Sequence, residues 1–305
     1  MLVKKKRLDF HLIDKIPFVA SLFRGVAQIM LQENVLTGIL FLIGIFYGSP
    51  VMAGGALLAV FSGTLAAKLF KYNPIEIQQG LYGFSAALVG VALTLFFKPV
   101  FWVWIFIVIG SVAATVVQHF FIVKKTAVFT LPFVVITWII IFLFQKVLFI
   151  EPSPLLVAES SIVYNLSYIF HGYGQVIFQS SMFAGVIFFI GVLINSPLAA
   201  LFGLVGAATA GISSTWLGIS AESIGMGLLS YNAVLCAIVF AGKRLENLIW
   251  LIISVFFSVI ICILMTKYNF IPLTFPFVVA TILTLVVRKA FHSFIKKSKL
   301  KPLDS

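Results

Sequence analysis

The chain of 305 residues is 62% apolar and only 10% charged, with a mean hydropathy of +1.16. A water-soluble globular chain carries about 25% charged residues, so this one cannot cover a surface that faces water. Its net charge of +12 would suggest nucleic acid in a soluble protein; here the positions of the charges indicate membrane topology instead, and no nucleic-acid partner is expected.

A basic segment, 1–15, opens the chain with Lys4, Lys5, Lys6 and Arg7. Ile16 to Phe23 does not read as a cleavable signal, because Arg24 interrupts a short apolar stretch and no small-residue cleavage pattern follows. Ile16 to Gln32 is broken by Arg24-Gly25 and carries Gln28 and Gln32. The charge-free run Asn34 to Ala67 holds two spans, split at Gly48-Ser49-Pro50. Ile77 to Phe97, Pro99 to Val123 and Thr126 to Gln145 hold one each. Ser160 to Ala221 holds a short extra segment, interrupted at His171-Gly172, and two spans split at Asn195-Ser196-Pro197. Ser223 to Gly242, Asn247 to Thr266 and Tyr268 to Val287 complete the series. A span needs roughly 20 apolar residues, which gives ten spans. Cys236 and Cys262 fall inside spans, where they read as packing residues. No metal-ligand spacing or nucleotide fingerprint is present, and no cofactor or catalytic constellation is expected.

With the N-terminus in the cytoplasm, ten spans place all but three of the 21 basic residues on the inside. Only Lys98, Lys146 and Lys267 fall outside. The positive-inside rule predicts this asymmetry, and both termini are expected to be cytoplasmic in a cell inner-membrane protein.

The sequence also repeats. A shift of 147 residues sets Gln28 on Gln175, Gln32 on Gln179, Gly38 on Gly185, Gly44 on Gly191, Ser49-Pro50 on Ser196-Pro197 and Gly80-Leu81 on Gly227-Leu228. After a slip of three, Thr130-Leu131-Pro132-Phe133 meets Thr274-Phe275-Pro276-Phe277. Each half then has five spans, and an odd number inverts the second half. The expected fold is an all-α integral membrane protein of ten transmembrane helices plus two re-entrant half-helices, Ile16 to Gln32 and Ser161 to Gln179. They form two inverted repeats, 16–150 and 151–290, followed by a cytoplasmic basic tail, 291–305. The half-helices would leave backbone carbonyls unpaired at their ends; the same segments would also suit amphipathic helices at the interface.

Duplicated positions in the interior are neutral. Gln28 pairs with Gln175 and Thr130 with Thr274; beside them stand Phe84 with Tyr231 and Leu88 with Leu235. Within each half the last two are four apart and share a helical face. A narrow apolar slot with a few hydrogen-bonding groups suits a small, flat, neutral, polar solute. A proton-coupled transporter would bury carboxylates or histidines as relays. His119 stands alone and His171 has Arg24 as its counterpart, so both read as structural; Glu76 and Glu222 read as helix-start residues.

The stretch Gly80-Leu81-Tyr82-Gly83-Phe84-Ser85-Ala86-Ala87-Leu88-Val89-Gly90 and its copy Gly227-Leu228-Leu229-Ser230-Tyr231-Asn232-Ala233-Val234-Leu235 resemble the signatures of urea transporters. The two Thr-x-Pro-Phe motifs and the Gln segments match as well, over nearly the whole chain. The resemblance, to bacterial members of that family, implies a homotrimer in membrane lipid with one urea pore per protomer. It implies Gln28 and Gln175 near the pore mouths, Thr130 and Thr274 at the centre and aromatic slots between. Leu31 and Phe178 fall at the slot positions three after each Gln. Leu31 departs from the family's Phe, and Ser85 from the usual Asn. Passive urea flux is the function this implies. The alternatives are a coupled transporter of another small amide or polyol, which would depend on an ion gradient, and a scaffold with no flux.

Overall fold

The computed structural model describes residues 15–154 and 167–299, with side chains to residue 295. The basic cluster at Lys4 to Arg7, most of the segment 1–15, the first residues of the second re-entrant segment, and Lys301 lie outside the described residues.

The first half runs α1 (Pro17–Ala27), a 3₁₀ turn (Gln28–Met30), α2 (Val35–Gly48), α3 (Pro50–Leu69), α4 (Pro74–Gln78), α5 (Phe84–Phe96), α6 (Phe101–Val123) and α7 (Leu131–Lys146). The second runs α8 (Ser167–Gln175), α9 (Met182–Asn195), α10 (Pro197–Trp216), α11 (Ala221–Gly225), α12 (Ser230–Val239), α13 (Glu246–Lys267) and α14 (Phe275–Lys299). The same series of helices is thus traversed twice. Local chemistry explains the shared breaks. Ser49 accepts the N–H of Met52, Ser196 accepts the N–H of Ala199, and each is followed by Pro at the first helical position. That pairing starts a helix where the preceding one must stop.

Helices α3, α6, α10, α13 and α14 are long and apolar enough to cross a membrane. The other five expected spans are helical but short: α2, α5, α7, α9 and α12 have 14, 13, 16, 14 and 10 residues. The chain enters α5, α7 and α12 through turns that are themselves buried, at Tyr82, Thr130 and Leu229. Irregular backbone of this kind is stable only when protein surrounds it. The chain is bent by 73° between the segment Pro17–Met30 and α2. The expected breaks at Arg24-Gly25 and His171-Gly172 do not occur, because α1 and α8 run straight through them. Those glycines serve packing: a Cβ on Gly25 would lie 3.0 Å from the Gly83 Cα, and one on Gly172 would lie 2.7 Å from the Ser230 Cβ. The turns come later, at Leu31 (φ 61°) and Phe178 (φ 57°). At the other end α14 continues to Lys299, so the boundary drawn at residue 290 falls inside a helix. Phe291 and Trp250, with ring centroids 5.8 Å apart, hold that extension to α13.

The halves meet through α2 and α9, and the contacts are reciprocal. Phe41 and Phe188 pack edge to face, with centroids 5.2 Å apart. A Cβ on Gly44 would strike Phe188, and one on Gly191 would strike Phe41. Asn195 donates to Oε1 of Gln32 at 2.8 Å, while the equivalent Gln179 lies against the equivalent Gly48. Residue i touching the counterpart of j, and j the counterpart of i, is the pattern a two-fold contact produces.

Candidate solute pathway

The turns that follow α1 and α8 are closed by glutamines. Gln32 donates to the Met30 carbonyl (2.6 Å) and Gln179 to the Ile177 carbonyl (3.1 Å). One carbonyl in each turn expected to be free, that of Met30 and that of Ile177, is therefore capped by a side chain. The Gln pair that precedes them behaves differently. Gln28 donates to the carbonyl of Gln79 (2.9 Å) and Gln175 to the carbonyl of Met226 (3.3 Å). These carbonyls are equivalent and stand at the turns into α5 and α12. Anchoring each amide nitrogen leaves the amide oxygen as a neutral acceptor. Both glutamines are half-buried.

Gly80 and Gly227 allow this approach. Both have positive φ (79° and 73°), and a Cβ on either would run into the backbone of Arg24-Gly25 or His171-Gly172. Beyond them, Phe84 and Leu88 on α5, and Tyr231 and Leu235 on α12, are buried. Tyr231 is not simply an apolar wall, since its hydroxyl donates to the Leu273 carbonyl at 2.6 Å.

Thr130 and Thr274 come together from opposite halves. Their hydroxyl oxygens are 2.6 Å apart, and the residues are 3% and 1% exposed. Each follows a residue in the left-handed region, Phe129 (φ 49°) and Leu273 (φ 46°), that swings the Thr to the head of its helix. The slot positions differ in setting. Phe178 packs edge-on against Phe96 and Phe133 of the other half, with centroids 6.2 Å away in both cases, while Leu31 is 38% exposed.

His119 is not alone. Its Nδ1 lies 2.9 Å from the Tyr82 hydroxyl, which also donates to Glu76 at 2.5 Å, and Tyr72 stacks on the imidazole with centroids 3.5 Å apart. Side chains of Asn73 and Ser220, not the glutamates, cap α4 and α11. Among the described residues no group of three or more His, Cys, Asp or Glu could hold a metal ion, and Cys236 and Cys262 are free and buried. The residues gathered between the two halves are thus neutral hydrogen-bonding groups set in apolar walls.

A sequence model for urea transporters matches residues 19–289. The chain belongs to the urea transporter family. Among its relatives, urea transporter 1 of Rattus norvegicus and of Mus musculus are each 25% identical over 296 residues, covering 88% of this chain and 77% of the relative. Urea transporter 1 of Ovis aries is 25% identical over 300 residues with the same coverage. As a member of the urea transporter family the chain is a membrane transporter of urea and not an enzyme, and the coupled-transporter and scaffold alternatives are not favoured. Sequence reasoning missed the capping by Gln32 and Gln179, although their duplication in the repeat was the available signal. It also missed the backbone carbonyls of Gln79, Met226 and Leu273 as anchoring points, which no side-chain pattern encodes.

Proposed function

We propose that urea passes through one pore per protomer, from Gln28 past Phe84 and Leu88 to Thr130 and Thr274, and out past Leu235 and Tyr231 to Gln175. Leu31 and Phe178 border the two slots. The observation that carries this reading is the hydroxyl–hydroxyl contact of 2.6 Å between two equivalent threonines of opposite halves. In an apolar setting such hydroxyls replace part of the hydration that a neutral amide sheds. An ion would shed its shell there without replacement, at a cost of several kcal/mol. The reciprocal contacts of α2 and α9 support inverted repeats, with the two-fold axis in the membrane plane and the threonines near it. Ten crossings, both termini cytoplasmic, residence in an inner membrane and assembly as a homotrimer in lipid belong to the same reading. The crossings draw on the charge-free apolar runs, the orientation and membrane on the basic-residue pattern, and the trimer on the family resemblance.

Urea flux from proteoliposomes should follow the urea gradient alone. Stopped-flow light scattering with a protonophore, or with the membrane potential collapsed, is expected to give an unchanged initial rate. A several-fold loss would indicate coupling and remove the passive reading.

Orientation has its own test. Single cysteines at Lys98 and Lys267 should react with an impermeant thiol reagent in intact cells, and one at Lys124 should not. Labelling at Lys124 from outside would reverse the orientation.

A further inference from the structure

The two halves build the same turn beside their threonines but secure it differently. Asn232, buried on α12, accepts the N–H of Phe277 through Oδ1 (3.1 Å) and donates to the Leu273 carbonyl through Nδ2 (3.3 Å). The Tyr231 hydroxyl reaches that same carbonyl. The segment Leu273–Phe277 is therefore held at both ends, with Thr274 between, although Leu273 sits in a left-handed conformation that is unfavourable for a leucine. In the first half the turn is the same, with Phe129 left-handed, but the fastening is missing. Phe84 has no hydroxyl, and Ser85 stands where Asn232 stands. Ser85 is 1% exposed and its Oγ has no hydrogen-bond partner among the described residues. A serine hydroxyl is too short to span carbonyl and N–H as a carboxamide does.

We propose that Asn232 is a positioning residue for the central site, that it fixes Thr274 as the rigid side, and that the Thr130 side, where Ser85 makes no such tie, yields as a solute passes. This deepens the proposed pathway and rests on it. The rigid side then sets how large a solute the centre admits. Asn232→Ser, which copies the first half, loosens both sides, and Tyr231→Phe removes one tie with little change of shape. Ser85→Asn supplies the missing carboxamide and stiffens both sides.

The test compares urea with 1,3-dimethylurea in proteoliposomes containing known amounts of folded protein, with Thr274→Val assayed alongside. Asn232→Ser is expected to raise the dimethylurea-to-urea flux ratio about fivefold, equivalent to one hydrogen bond's worth of positioning. Tyr231→Phe should move the ratio the same way by less, and Ser85→Asn should slow urea and lower the ratio. If Asn232→Ser does not fold, the other two variants decide. A residue that merely supports the fold would change the yield of protein and leave the ratio per channel alone. Ratios within about twofold of the parent in all variants that fold, while Thr274→Val slows urea, would overturn the proposal and leave the pathway standing; a fold-change below two is less than half a hydrogen bond's contribution. A silent Thr274→Val would remove the pathway and the proposal together.

Discussion

Replacing Thr130 or Thr274 with Val is expected to slow urea flux by roughly 5- to 150-fold. The two hydroxyls lie 2.6 Å apart in a buried setting. Val keeps the shape of Thr and removes the hydrogen-bonding group. A buried polar group left unpaired costs roughly 1–3 kcal/mol, and about 1.4 kcal/mol corresponds to a tenfold change in rate. In either single variant one hydroxyl also loses its partner in the other half of the chain, so part of the cost appears as lower stability. The double variant leaves no unpaired hydroxyl and need not be additive, because the two positions serve one solute. Stopped-flow efflux normalised to folded protein checks this. Wild-type rates in both single variants would show that each Thr only supports its own helix.

Gly80→Ala and Gly227→Ala should be strongly damaging. Both positions have positive φ, a region that costs a non-glycine residue about 1–3 kcal/mol. Both also lack room, because the added Cβ would meet the backbone of Arg24-Gly25 or His171-Gly172, which cannot swing aside as a side chain can. The outcome is displacement of α1 or α8 from the turn that holds Gln28 or Gln175. Gly218→Ala is the control, since Gly218 shares the positive φ (74°) but has nothing within 4 Å of an added methyl. Melting of the detergent-solubilised protein, followed by size-exclusion fluorescence, should fall by several degrees more for Gly80→Ala than for Gly218→Ala. Equal shifts would mean that the close approach is not what Gly80 provides.

Much of this arrangement is written in the sequence in physically readable form. Ser49-Pro50 and Ser196-Pro197 state a helix start in cap and ring chemistry. Gly80 and Gly227 state a turn that only glycine tolerates. Thr130 and Thr274 stand out because a hydroxyl duplicated in apolar surroundings at one offset has few explanations. Other features leave no such mark. Leu31, Phe178, Phe129 and Leu273 adopt left-handed backbone that their side chains do not favour, so tertiary packing imposes it and local propensity points elsewhere. Arg24-Gly25 resembles a break, yet the glycine is helical and small only because Gly83 presses on it. Helices α5 and α12 fall short of a full span because their entrances are buried turns, and hydropathy does not distinguish a buried turn from the end of a helix. The contrast of Asn232 with Ser85 is visible as a departure from symmetry, but its meaning depends on Leu273 and Phe277, which are some 40 residues away along the chain.

The most direct measurement is the anomalous scattering of selenourea in crystals of the protein. A pore along the proposed path predicts selenium density in contact with the Thr130 and Thr274 hydroxyls, or in the slots on either side towards Gln28 and Gln175. Selenium bound only elsewhere on the protein, with none between the two halves, would contradict it.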